Sequence, residues 1–208
     1  MIQCCTNTAT GWREEMKKPG WIKVFLIVAC TSIFLQSGGA FCAETESTVK
    51  FTLPPPDSEQ TQTYLGLDAM KQFKVSDIKA KIVVIELMSG FCSACQANTP
   101  IINDVYKTIQ ADSSLADVKV IAIAIADDKT SVETFKKQFK PIFPMLLDEN
   151  REIMRSKIIS ATPVTMVVST QDAKVLFTQP GLIPDAEGFV KQVRFVKQLE
   201  AMDKGTQQ

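Results

Sequence analysis

Lys81 to Pro100 reads KIVVIELMSGFCSACQANTP. The run Ile82 to Met88 is apolar and rich in β-branched residues, interrupted by a single acid, Glu86. Such a run suits a strand buried on both faces. Ser89-Gly90 supplies a turn, and a helical pattern begins after Cys95, with Ile101, Ile102, Val105, Tyr106 and Ile109 on one face. The stretch therefore reads as strand, turn and helix, with Cys92 and Cys95 where the helix starts. Pro100 falls inside that helix and predicts a kink.

Two thiols on the first turn of a helix lie close enough to form a disulfide. The first of them also sits beside unpaired helix N–H groups and the positive end of the helix dipole. A free cysteine titrates at about 8.5, and this setting lowers it to roughly 3.5–7.5. Cys92 is thus the expected attacking thiolate. Cys95, one turn deeper, is the expected resolving thiol of a thiol–disulfide exchange.

Composition narrows the alternatives. The chain has 208 residues, 45% of them hydrophobic, with 23 basic and 23 acidic side chains. That is enough for one ordinary domain plus extensions. No basic stripe interleaved with aromatics is present, so nucleic acid is not an expected partner. The chain has no histidine, which excludes Cys–His and Ser–His nucleophile pairs and histidine-ligated metals. Half of a zinc site would need a second ligand pair that the sequence does not offer, and no metal is expected. A purely structural disulfide in so small a loop would stabilise little. The other four cysteines, Cys4, Cys5, Cys30 and Cys42, lie towards the N-terminus.

Residues 1–43 read as a targeting segment. Lys17, Lys18 and Lys23 precede an apolar run from Val24 to Leu35, followed by Gln36-Ser37-Gly38-Gly39-Ala40. This is the pattern of a secretory signal with cleavage after Ala40. Ile27-Val28-Ala29-Cys30 also resembles a lipoprotein box, with Cys30 as the lipidated residue, and an uncleaved membrane anchor is a third reading. All three place the protein outside the cytoplasm, in the periplasm or an equivalent compartment. Residues 44–60, with Pro54-Pro55-Pro56, read as an extended linker or edge segment.

Beyond it, residues 61–203 read as one domain and 204–208 as a tail. Thr61 to Lys74 suggests a small hairpin, or a strand with a helical turn. Lys119 to Ala126 is a second buried strand. Thr130 or Ser131 is the expected cap of a helix reaching Lys140, whose lysines at 136, 137 and 140 form a solvated face. Phe143 to Leu147 is a short strand, and Asn150 to Ser156 is helical. Pro163 to Ser169 and Lys174 to Thr178 form a hairpin, and Asp185 to Met202 a closing amphipathic helix. The order β, α, β, α, β, α, β, β, α predicts an α/β sandwich with a central mixed sheet flanked by helices.

Four features together resemble the thioredoxin superfamily, and within it the exported TlpA/ResA-like thiol–disulfide oxidoreductases. They are Phe91-Cys92-Ser93-Ala94-Cys95 after a hydrophobic strand, and Ala161-Thr162-Pro163-Val164-Thr165, which is similar to the family's cis-proline loop. The extra strand and helix between Ala126 and Pro163 is the third. The fourth is Phe51-Thr52-Leu53-Pro54 upstream, together with Ser76 to Lys81 entering the first core strand.

The resemblance implies a reductase without a cofactor. Its substrates would be disulfide-containing exported proteins, apocytochromes c among them, and a membrane electron donor would recharge a monomeric protein. It further implies that Thr162 and a cis-Pro163 face Cys92 and that Phe91 borders the substrate. Glu86 would exchange a proton with Cys95 from a buried position that raises its pKa. The chain departs from the family with Phe91 for a tryptophan and Ala94 for a proline. It also has Asn98 where some relatives carry a glutamate. Two other readings stay open: a peroxiredoxin-like peroxidase, whose Pro-x-x-x-Thr-x-x-Cys loop is missing before Cys92, and a metallochaperone holding copper(I) between two thiolates.

Overall fold

The computed structural model describes residues 47–206. The targeting segment, its alternatives at Ala40 and Cys30, and the remaining cysteines lie outside the described residues. Among those residues, no helix is long and apolar enough to cross a membrane.

Five strands make one mixed sheet: β1 (Ile82–Met88), β2 (Val118–Ala124), β3 (Met145–Leu147), β4 (Val164–Ser169) and β5 (Val175–Pro180), in the order β3-β2-β1-β4-β5. β1 runs parallel to β2 and antiparallel to β4, so the strand that carries Glu86 is central. Every residue of β1 is buried. Its alternation divides the core in two. Ile82, Val84 and Met88 point to one face, where α2 (Ser93–Ala111), α3 (Lys129–Phe139) and α5 (Ala186–Thr206) supply Ile102, Val105, Phe135, Phe189 and Val193. Val83, Ile85 and Leu87 point to the other, against Leu53, Leu65, Phe73, Ile78 and Ile153.

The second face departs from expectation. Of the two readings of residues 44–60, linker or edge segment, the second is nearer for the part described, and it also packs: Leu53 is fully buried and pairs with Phe73 through backbone hydrogen bonds of 2.8 and 3.2 Å. Within Thr61 to Lys74 there is no hairpin. A seven-residue helix, α1 (Glu59–Leu65), starts earlier, capped by Ser58, and Gly66 ends it at φ 69°. That turn has no room for a side chain, since a Cβ on Gly66 would lie 2.4 Å from the Lys79 side chain. Leucines and a phenylalanine spaced irregularly give no periodic signal, and only tertiary burial shows their use.

Elsewhere the differences are small and local. α3 is capped by Asp128, not by Thr130 or Ser131; Asp128 accepts from the Ser131 N–H at 2.8 Å while Ser131 reciprocates. The lysine face of α3 is not simply solvated, because Lys136 bonds Asp57 at 2.9 Å. α4 is short, Glu152–Arg155. α2 continues across Pro100. α5 continues to Thr206, through most of the expected tail.

Candidate active site

The site is assembled where β1 ends. The chain leaves Met88 through Ser89 and Gly90, and Cys92 is the N-cap of α2. An N-cap side chain is placed to accept from the N–H groups of the first turn. Here the acceptor is sulfur: the Cys95 N–H donates to Cys92 Sγ at 3.2 Å. The Cys92 thiol in turn donates to the Thr162 carbonyl at 3.3 Å. The Thr162–Pro163 peptide bond is cis, as the resemblance implied. The Gly181 N–H holds the Pro163 carbonyl at 2.8 Å, tying this loop to the end of β5.

The two thiols differ in exposure and in acidity. Cys92 is half-buried and Cys95 is 1% exposed, and both are free. Burial pushes the Cys92 thiol up. Hydrogen bonds from the side chains of Cys95 and Thr162 and from the Cys95 and Ala94 N–H groups outweigh it and hold the thiol below its ordinary value. Burial and the neighbouring Cys92 push Cys95 up to about 12. One sulfur is therefore the more accessible and the more readily ionised. The other keeps its proton until something removes it.

Glu86 lies on the α2 face of β1, 2% exposed. Burial raises it to about 7, against the opposing pull of a hydrogen bond from Asn98. That bond, Asn98 Nδ2 to Glu86 Oε1, is 2.9 Å, and the Ile183 N–H occupies Asn98 Oδ1 at 3.0 Å. Asn98 follows Cys95 by three residues, so both lie on one face of α2. The structure thus brings Glu86 to the helix that carries Cys95, though its hydrogen bond is to Asn98 and not to the thiol. No lysine pairs with it among the described residues: Lys81 pairs with Asp117, and Lys119 lies over the Tyr64 ring.

Phe91 is 78% exposed beside Cys92. It borders an open groove of about 400 Å³ between α2 and α3, lined also by Gln96, Thr134, Phe135 and Phe139. Two residues of the site carried no motif. Asp127, buried after β2, receives the Gly90 N–H on both carboxylate oxygens, at 3.0 and 3.1 Å. Gln96 donates to the Gly90 carbonyl at 2.8 Å. Together they hold the turn that aims Cys92. Gly90 is required there, because a Cβ would come within 2.9 Å of Asp127 Oδ1. The doublet Asp127-Asp128 after a buried strand was the available signal. Among the described residues no cluster of three or more His, Cys, Asp or Glu could hold a metal ion.

A mixed sheet with a dithiol at the head of α2 and a cis-proline loop facing it defines a thioredoxin-like fold. The chain belongs to the AhpC/TSA family, whose model matches residues 48–175. It is 25% identical over 101 residues to the thiol-disulfide oxidoreductase ResA of Bacillus subtilis, covering 49% of this chain and 54% of that one. It is 21% identical over 124 residues to ResA of Geobacillus kaustophilus, covering 59% and 69%. The chain thus spans about half the length of the first of these relatives. Among solved structures it is similar to StoA of Bacillus subtilis, with a TM-score of 0.53, 18% identity and coverage of 71% and 99%. It is also similar to the thioredoxin domain of a thiol-disulfide oxidoreductase of Bacteroides vulgatus, with a TM-score of 0.52, 14% identity and coverage of 73% and 96%.

Proposed function

We propose that this protein is an extracytoplasmic thiol–disulfide oxidoreductase that reduces disulfides in exported proteins. One observation carries the reading. A half-exposed thiol of lowered pKa at the N-cap of α2 stands beside a buried thiol of raised pKa. The ResA relatives, named as thiol-disulfide oxidoreductases, agree with it.

The reaction follows from that pair. Cys92 thiolate attacks one sulfur of a substrate disulfide, forming a mixed disulfide and releasing the other sulfur as a thiolate. Cys95 then loses its proton and attacks Cys92 Sγ. The Cys92–substrate bond breaks, the second substrate sulfur leaves, and two electrons have passed from the dithiol to the substrate. Glu86 is the group that takes the Cys95 proton, since its carboxyl titrates near neutrality on the same side of the sheet.

The substrate chain lies along the Thr162–Pro163 backbone as an added strand. Phe91 and its groove receive a neighbouring apolar side chain. Exported proteins, including apocytochromes c, are the substrate class, a membrane electron donor restores the dithiol, and the protein acts as a monomer. Residues 1–43 direct export or anchor the chain, and the domain begins beyond them.

The test is reduction of insulin disulfides by the wild type and by Cys92→Ser. Turnover by the wild type and none by the variant supports the reading. Peroxide turnover without disulfide reduction would contradict it, as would stoichiometric copper(I) retention without turnover.

A further inference from the structure

One buried polar group beside the dithiol has no partner. Thr165 is fully buried, and its hydroxyl oxygen makes no hydrogen bond among the described residues. A lone buried hydroxyl is costly, and native proteins keep few of them. This one stands directly opposite Glu86 in the β1–β4 register. Opposed residues of neighbouring strands project to the same face, with Cβ atoms about 4.5–5.5 Å apart. Thr165 is also two residues beyond Pro163, so it shares a face with the proline that borders the thiols.

The other neighbours of Glu86 cannot do what a hydroxyl can. On β2 its partner is Ala122, which has no polar side-chain atom. From α2, Asn98 donates to Oε1. Its own oxygen is turned to the Ile183 N–H, so the amide faces Glu86 with its donor end. Among the described residues no charged side chain acts on the Glu86 proton, and the titratable side chains packed in this half of the core are Cys92, Cys95 and Tyr106. Asn98 therefore supports the carboxylate but offers nothing to the O–H of the protonated acid. A hydroxyl serves both states, donating to the carboxylate and accepting from the acid.

We propose that Thr165 is a positioning residue for the resolving half-reaction, its hydroxyl holding Glu86 in both protonation states as the acid takes up the Cys95 proton. In that step the proton passes from Cys95 Sγ to the Glu86 carboxylate. The sulfur's electron pair forms the bond to Cys92 Sγ, and the substrate sulfur leaves with the electrons of the broken bond. The hydroxyl, unpaired in the structure, reaches Glu86 by rotation about the Thr165 Cα–Cβ bond, donating to the carboxylate and accepting from the acid with no net proton change. The inference rests on Glu86 acting as proposed above.

Reaction of the reduced full chain with dithiobis(nitrobenzoate) separates the steps. The first nitrothiophenolate released reports attack by Cys92, and the second reports attack by Cys95 on the resulting mixed disulfide. Thr165→Val keeps the shape and removes the hydroxyl. It is expected to lower the second rate relative to the first about tenfold at neutral pH, the worth of one hydrogen bond to a charged group. It should also move the midpoint of the second step's pH profile upwards, because the carboxylate loses the stronger of the two bonds. Thr165→Ser should restore both.

If Thr165→Val matches the wild type in ratio and midpoint, the inference is overturned. Glu86→Gln tells the two failures apart. If it leaves the second release unchanged, the role of Glu86 fails and this inference with it. If it slows that release while Thr165→Val does not, only the role of Thr165 fails.

Discussion

Thr162 presents its backbone carbonyl to the Cys92 thiol at 3.3 Å, although seventy positions separate them in the chain. The Thr162 side chain contributes as well, as one of the hydrogen bonds that hold the Cys92 thiol down. Removing the hydroxyl with Thr162→Val should raise the pH at which Cys92 ionises. Thiolate absorbance in the ultraviolet, followed against pH, measures it. An unchanged or lower midpoint contradicts the assignment.

Glu86 makes stability depend on pH. Its folded pKa, about 7, lies above the ordinary value of 4.5, so the folded state binds this proton more tightly than the unfolded state. The resulting stabilisation is complete below about pH 4.5 and is lost as pH rises through 7. Its size is about 3 kcal/mol. Urea midpoints across that range should therefore fall for the wild type. For Glu86→Gln the fall should be absent, and a parallel fall in the variant would remove Glu86 as its cause.

Asp127 should matter to the turn more than to the dithiol itself. Asp127→Ala leaves the Gly90 N–H without either of its acceptors, a loss of about 1–3 kcal/mol. The turn it releases carries Cys92, so insulin reduction should slow along with the loss of stability. Equal stability and rate would show that Gln96 alone holds the turn.

The parts legible beforehand share a physical cause. β1 and β2 are continuous apolar runs because both their faces are covered, and such runs stand out in any sequence. Cys92 and Cys95 are legible because the spacing itself is the chemistry. Thr162-Pro163 was read through its resemblance to a known loop. What escaped depends on partners distant in the chain. Leu53 reads as linker because three prolines follow it, and its burial comes from Phe73 and the far face of the sheet. Lys136 reads as a solvated lysine until Asp57 is brought to it. Asn98 was legible only as a departure from relatives. Its use, between Glu86 and the Ile183 N–H, requires three segments to meet.

The central claim is the division of labour between the two thiols, and trapping tests it most directly. Mixing a disulfide substrate with Cys95→Ser, then reading the intact mass, should give a stable one-to-one mixed disulfide through Cys92. Cys92→Ser should give none on the same timescale, because Cys95 is buried and its thiol is raised to about 12. A mixed disulfide that forms readily through Cys95 in Cys92→Ser, and not through Cys92 in Cys95→Ser, would contradict the account.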